Sequence, residues 1–182
     1  MALPSTIYRA NIQIADIDRA VYETLQTSVA RHPSETEERL VARLLAYALF
    51  HEDGLQFTKG VCAGEEPDLW AKGPDGRVLS WIEAGVPEPD RLIRFARHTE
   101  RIGLLACGNG LPHWERHHLP KLEGVDNLTV ITLDQGFINQ VAALLERSII
   151  WEVTVTEGTL YLQIAGQTLE TPIHVRLGQN SR

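Results

Sequence analysis

The chain has 182 residues, of which 43% are hydrophobic and 23% are charged. This is the composition of an ordinary soluble globular protein, and it excludes intrinsic disorder, a collagen-like fold and a membrane span. The length predicts one domain that spans residues 1–182. The 17 basic residues against 24 acidic ones leave a net charge of −7. Because proteins that coat nucleic acid are normally basic, we expect any contact with nucleic acid to be local.

The cysteines and the first residues of the chain indicate a cellular compartment. Cys62 and Cys107 have no metal-ligand spacing around them, so we expect two reduced, buried thiols. Residues 1–18 contain neither a basic segment nor a long apolar run, and they therefore predict no signal peptide. We expect a cytoplasmic protein that does not associate with membranes.

The first third of the chain predicts two strands and a helix. Apolar residues alternate with polar ones through residues 6–18, and a second extended segment follows at 21–29, so we expect a strand in each. A helical face of apolar residues then continues to about residue 50. Ser34 is the predicted N-cap of this helix, and Glu37 completes a capping box three residues later.

The middle and last parts of the chain alternate strands with helices. A Gly-Pro-Asp-Gly sequence at 73–76 separates two apolar segments, 68–72 and 77–84, and predicts a β-hairpin. The elements expected after it are a helix (90–100), a strand (102–107), a short helix (112–118), a strand (128–133), a helix (135–147), a hairpin (149–164) and a last strand (168–175). This order predicts an α/β or α+β fold with a mixed sheet flanked by helices, and with additional antiparallel strands at both termini.

Two acidic residues, Asp68 and Glu83, lie at the ends of the two hairpin strands beside apolar and aromatic neighbours. Pairing Lys72 with Arg77 sets the expected register of this hairpin. Asp68 then faces Trp81, and Glu83 is its diagonal neighbour on the same face of the sheet, where two carboxylates can bind one divalent cation. A bulge in the turn would shift the pairing by one residue and move Glu83 to the other face. The alternative is that both acids pair with nearby arginines.

Four stretches of the sequence resemble one protein family. They are His32-Pro33-Ser34-Glu35-Thr36, Glu66-Pro67-Asp68-Leu69-Trp70, Trp81-Ile82-Glu83-Ala84-Gly85 and Asp126-Asn127-Leu128-Thr129-Val130. With the length and the order of elements, they resemble the YaeQ family of small bacterial proteins over nearly the whole chain. The spacing of Asp68 and Glu83 is also similar to that of the PD-(D/E)XK nuclease superfamily. The resemblance implies a restriction-endonuclease-like core with a pocket at the position of the nuclease site.

The same resemblance implies roles for individual residues. Asp68 and Glu83 match the two acids that hold Mg²⁺, or Mn²⁺, in active members of the superfamily. Gly85 stands where the motif has a lysine, whose charge stabilises the transition state of phosphodiester cleavage. Lys72 is the nearest substitute on the hairpin, although a lysine beside a turn is usually a solvated charge.

Helices on either side of the hairpin add further candidates. Many superfamily members place an acid on the first core helix, where Glu37 or Glu38 stands here, although Glu37 is also the predicted capping acid. The predicted helix at 90–100 and the residue after it carry one stripe of basic residues, Arg91, Arg94, His98 and Arg101. This stripe is either a phosphate contact, with Arg91 and Arg94 nearest the acid pair, or the solvated side of an amphipathic helix.

Two functions from different classes fit these residues. The first is a weak or degenerate Mg²⁺-dependent phosphodiesterase that acts on nucleic acid, with Asp68 and Glu83 as metal ligands and Lys72 or an arginine of the basic stripe next to the phosphate. The second is a noncatalytic module that keeps the nuclease fold and binds nucleic acid or a protein of gene expression. The missing lysine at position 85 favours the second function, and the acid pair favours the first.

Overall fold

The structure is a computed structural model that describes residues 4–59 and 65–178. Its elements alternate between strands and helices through the middle of the chain. In chain order they are β1 (Thr6–Asp16), β2 (Val21–Arg31), α1 (Glu37–Leu49), β3 (Gln56–Phe57), β4 (Leu69–Lys72), β5 (Val78–Ala84), α2 (Pro89–Ala96), β6 (Arg101–Ala106), α3 (Leu111–His117), a 3-10 helix (Leu119–Leu122), β7 (Leu128–Thr132), α4 (Gln135–Ala143), β8 (Ser148–Thr156), β9 (Thr159–Ile164), β10 (Gln167–Pro172) and β11 (His174–Leu177).

The strands form two mixed sheets. The terminal sheet has the order β10-β9-β8-β1-β2, and the central sheet has the order β11-β7-β6-β5-β4-β3. In the central sheet β5, β6 and β7 are parallel to one another. In the terminal sheet β1 is parallel to β8 and antiparallel to β2. The predicted α+β class is confirmed, with mixed sheets flanked by helices and additional strands from both ends of the chain. The restriction-endonuclease-like character of the core stays a prediction.

Helix α1 forms the centre of the main hydrophobic core. It contacts β1 of the terminal sheet together with β5 and β6 of the central sheet, and its leucines Leu40, Leu44, Leu45 and Leu49 are fully buried. Each such side chain contributes about 1.5–3 kcal/mol through removal of apolar surface from water. A second core lies on the other face of the central sheet, where Trp81 packs with residues of α2 and α3. Successive residues of β5 therefore face different helices.

The first helix begins two residues later than a Ser34 cap would allow. The side chain of Thr36 is the N-cap and accepts a hydrogen bond of 3.2 Å from the backbone N–H of Arg39. The Ser34 hydroxyl instead lies 2.6 Å from Nδ1 of His32. The predicted capping box is wrong, because Glu37 is the first helical residue and not the third.

The predicted hairpin is confirmed, but its predicted register is wrong. Trp70 pairs with Trp81, and Lys72 pairs with Val78 rather than with Arg77. A β-bulge next to Lys72 causes the irregularity, because an extra residue on one strand of a hairpin shifts every pair beyond it.

The register beyond the bulge differs from the predicted one. Leu69 pairs with Ile82 and Trp70 with Trp81, and Asp68 immediately precedes the paired residues of β4. The predicted pair of Asp68 with Trp81 is therefore wrong by two residues. Asp68 contacts Arg39 and Arg43 of α1, whereas Glu83 contacts Arg91 of α2, so helices on opposite faces of the central sheet hold the two acids.

Three predicted elements end or divide differently in the structure. Helix α2 ends at Ala96, so the basic stripe does not continue on one helix: His98 follows the helix and Arg101 is the first residue of β6. Helix α4 ends at Ala143 rather than at residue 147. The predicted last strand is two strands, β10 and β11, which belong to different sheets.

The thiol of Cys107 is free and buried, as predicted, whereas Cys62 lies outside the described residues. Burial raises the pKa of the Cys107 thiol to about 11, because the charged thiolate is poorly solvated there. Among the helices of residues 4–59 and 65–178, none combines the length and the apolarity needed to cross a membrane.

Candidate functional site

Asp68 is buried immediately before β4, with 7% of its surface exposed. Nη2 of Arg39 donates to both of its carboxylate oxygens, over 2.9 and 3.1 Å. The backbone N–H of Ala84 donates to Oδ2 over 2.8 Å, and Nε of Arg43 lies 3.3 Å from Oδ1. Helix α1 and the end of β5 therefore provide cations and hydrogen-bond donors around this one carboxylate.

Arg43 connects Asp68 to a third acid. Its Nη1 donates to both carboxylate oxygens of Glu35, over 3.1 and 3.2 Å, and both side chains are almost completely buried. An isolated buried charge is costly, so a buried arginine is tolerated only when carboxylates and hydrogen bonds compensate it. This chain of Glu35, Arg43 and Asp68 fixes the start of α1 against the central sheet.

Glu83 lies at the end of β5 and is held from the other side of the central sheet. Nε of Arg91, on α2, donates to Oε1 over 2.7 Å, and the indole N–H of Trp81 donates to the same oxygen over 2.6 Å. Trp81 stacks on Phe95 with ring centroids 3.7 Å apart, which fixes the indole that orients Glu83.

Burial raises the pKa of Glu83 above its usual value, because a carboxylate loses hydration in a nonpolar environment. The hydrogen bond from Trp81 and the charge of Arg91 act against this shift, while the nearby charge of Asp68 adds to it. The two acids are therefore close enough to interact electrostatically, although each has its own arginine.

Gly85 stands where the resemblance to the nuclease motif predicts a lysine. Its φ is +116°, a backbone conformation that side chains disfavour. A Cβ at this position would lie 4.0 Å from Nε and Cζ of Arg39. The guanidinium group of Arg39 therefore lies next to Gly85.

The other predicted site residues lie farther from this centre. Lys72 is exposed, and its ammonium lies 3.7 Å from the ring centroid of Trp70. Glu37 pairs with Arg31, and no hydrogen bond or ion pair in the described part of the chain joins Glu37 or Glu38 to Asp68 or Glu83. Arg94, one helical turn beyond Arg91, is more than half exposed and lies 3.9 Å from a carboxylate oxygen of Glu65. The roles of these residues stay predictions.

Comparison with known proteins shows the family of this chain. A family model described as YaeQ protein matches residues 1–173. The chain belongs to the YaeQ family. The YaeQ protein of Salmonella typhi is 34% identical over 171 residues, which cover 93% of this chain and 94% of that protein. The YaeQ protein of Escherichia coli K12 is 33% identical over the same coverage.

Solved structures of YaeQ proteins have the same fold. The crystal structure from Xanthomonas axonopodis pv. citri matches with a TM-score of 0.91 and 32% identity, over 96% of this chain and 99% of that one. The structure from Pseudomonas syringae matches with a TM-score of 0.89 and 40% identity, over 96% and 97%. The resemblance of the sequence to the YaeQ family is thus confirmed.

The donor set of the acid pair can be compared with what Mg²⁺ requires. The cation takes six oxygen ligands in octahedral geometry, but both carboxylate oxygens of Asp68 and Oε1 of Glu83 already accept from Arg39, Ala84, Trp81 and Arg91. Within residues 4–59 and 65–178 there is no group of three or more His, Cys, Asp or Glu residues that could hold a metal ion. As arranged here, the two acids fit guanidinium groups and not Mg²⁺.

Two residues of this YaeQ site, Arg39 and Arg43, were not among the predicted candidates. They lie four positions apart on α1, and Arg43 stands between the buried residues Ala42 and Leu44. A charged side chain within an apolar helical segment indicates a buried partner of opposite charge, because burial without one is costly. This signal could have predicted that α1 has a buried carboxylate partner, although not which one.

Proposed function

We propose that this site binds phosphate groups of nucleic acid without cleaving them, through Arg39 and Arg91. The observation that carries the proposal is that both arginine side chains are partly exposed, by 29% and 25%, while buried acids hold their guanidinium groups in fixed orientations. Arginines oriented in this way recognise phosphate oxygens by charge-assisted hydrogen bonds. Arg94 adds an exposed cation one helical turn further along α2.

The charges around the site favour a local contact. Glu35, Asp68 and Glu83 balance Arg39, Arg43 and Arg91, so the acids mainly position the cations and little net charge remains. In an acidic protein, affinity for nucleic acid then depends on a few phosphate contacts, and it falls with salt in proportion to their small number. A protein of gene expression as the partner of the same surface is the competing noncatalytic prediction.

A Mg²⁺-dependent phosphodiesterase acting on nucleic acid is the second candidate. Two observations favour it. The charge of Asp68 contributes to the raised pKa of Glu83, so the two acids are near each other, and Arg39 lies next to Gly85, where the motif would have its lysine. This function requires Arg39 and Arg91 to release the carboxylates when a cation binds. For both candidate functions we propose that the protein is cytoplasmic.

Glu83→Gln separates the two functions. The substitution removes the negative charge that faces Arg91, so the phosphate-binding function predicts tighter binding of a labelled oligonucleotide in EDTA, by about threefold or more. Arg94→Gln should weaken binding, and Arg77→Gln, at the exposed hairpin turn, is the matched control without effect. Fluorescence anisotropy at several salt concentrations measures all four proteins.

The phosphodiesterase function predicts different results for cleavage and for metal binding. Glu83→Gln should then abolish Mg²⁺-dependent cleavage, and Mn²⁺ should raise the melting temperature of the parent but not that of Asp68→Asn with Glu83→Gln. If the parent binds no oligonucleotide at low salt, or if Glu83→Gln weakens binding in EDTA, the noncatalytic proposal is wrong.

A further inference from the structure

A cavity of about 400 Å³ opens at the amino ends of β5, β6 and β7. Asp68 and Glu83 lie at the other end of β5, so this cavity is separate from the arginine site. Its apolar wall consists of Phe50, Ile82, Ile102 and Leu128. The volume is within the range of cavities that bind small molecules.

Gly103 on β6 allows the side chains of Phe50 and Ile82 to lie close to the strand. A Cβ at Gly103 would lie 2.7 Å from both the Phe50 ring and the Ile82 side chain. Only glycine therefore lets the Phe50 ring lie directly against the strand. The aromatic wall of the cavity depends on this close approach.

Three polar side chains that line the cavity have unsatisfied atoms. Oγ of Ser80, Oε1 of Glu52 and Nδ1 of His51 are buried and have no hydrogen-bond partner in residues 4–59 and 65–178. Ser80 is only 1% exposed. Buried polar atoms in native proteins are normally paired with protein, water or ligand. Three such atoms around one cavity indicate a site for a polar molecule.

The charged residues that line the cavity favour one sign of charge on the bound molecule. Glu52 pairs with Arg101 through its other oxygen, and the exposed Asp126 adds a second carboxylate at the rim. Burial lowers the pKa of His51, so its ring is neutral at pH 7. Two carboxylates therefore face one guanidinium group, and the balance favours a cation.

We propose that this cavity binds a small organic cation, an ammonium or amidinium group attached to an apolar ring or chain. The cationic group binds the carboxylate of Glu52, with Ser80 and His51 as neutral hydrogen-bond partners. The apolar part of the molecule packs against Phe50. The site needs no contribution from Asp68, Glu83 or their arginines.

Benzamidine and benzoate test the proposal because they have nearly the same shape and opposite charge. In an NMR titration of ¹⁵N-labelled protein, benzamidine should shift the amide signals of Gly103 and Thr129 saturably at millimolar concentration, and benzoate should not. Glu52→Gln should weaken benzamidine binding by about tenfold or more, as expected for loss of a charged hydrogen bond. Asp53→Asn, which neutralises an exposed neighbour outside the cavity, is the matched control and should bind normally.

Ser80→Ala adds a readout that a purely structural role would not give. It removes an unpaired buried hydroxyl, so the melting temperature of the free protein should stay the same or rise while benzamidine binds more weakly. Equal binding of both probes, normal binding by Glu52→Gln, or no saturable shift at Gly103 and Thr129 would each overturn the proposal.

Discussion

Nη2 of Arg39 lies within 3.1 Å of both carboxylate oxygens of Asp68, and this contact joins the first turn of α1 to the first strand of the hairpin. The two residues are 29 positions apart, and Asp68 is the more buried of the two. Loss of one member of such a pair leaves an uncompensated charge, which costs more than the pair contributes. The pair therefore couples the stability of the fold to the geometry of the site.

Asp68→Asn should destabilise the protein by about 2–4 kcal/mol, because Arg39 and Arg43 then face a neutral side chain in a largely buried position. Chemical unfolding in urea measures the loss. Asp75→Asn is the matched control, since it breaks an exposed ion pair with Arg77 and should leave the midpoint unchanged. Similar midpoints for Asp68→Asn and the parent would contradict the assigned network.

Glu83 should make the protein less stable as the pH rises. The pKa of this carboxyl is raised in the folded state, so between the unfolded pKa of about 4.3 and the higher folded value the folded protein binds more protons. The free energy of unfolding then falls with increasing pH across that window. Urea unfolding between pH 4 and pH 7 should show a steeper fall for the parent than for Glu83→Gln. Parallel curves would show that Glu83 titrates normally.

Gly85→Lys should not restore the motif of an active nuclease. At φ +116° any side chain is strained, by about 1–3 kcal/mol, and a lysine would also approach the guanidinium of Arg39. We expect Gly85→Ala to lower the melting temperature and Gly85→Lys to lower it further. Gly124→Lys is the control, because a Cβ there meets open space and the φ is not positive. A Gly85→Lys protein as stable as the parent would refute this account of position 85.

Cys107 should react slowly with iodoacetamide in the folded protein. The thiolate is the reactive form, and with a pKa of about 11 roughly one thiol in 1,000 is ionised at pH 8. A Cys62→Ser variant isolates the reaction, and mass spectrometry follows it with and without urea. Labelling at similar rates in both conditions would show that Cys107 is accessible.

Much of the fold follows from local sequence patterns, and the site follows from them only in part. Alternating apolar residues in β1 and β2 and the turn at 73–76 predict their strands because burial on one face imposes a period of two. The bulge beside Lys72 changes the register, and the turn sequence allows such a bulge without deciding whether it forms. The sequence also does not predict that α2 ends at Ala96, because basic residues with helical spacing lie on both sides of this position.

The site itself depends on contacts between distant segments. Asp68 and Glu83 could be selected because acids next to apolar strands are unusual. Their partners Arg39, Arg43 and Arg91 come from two helices on different faces of the central sheet, and the partner of a buried charge is decided by packing that a single sequence does not encode locally.

The parallel pairing of β1 with β8 and the return of β11 to the central sheet have a consequence for synthesis on the ribosome. Strand β1 is synthesised long before residues 148–156, which include its parallel neighbour, and the edge of β7 is covered only by residues 174–177. Pairings between such distant segments form slowly. The nascent chain therefore carries two incomplete sheets with open edges until both segments have been made, and in this period its unpaired strand edges are exposed to aggregation.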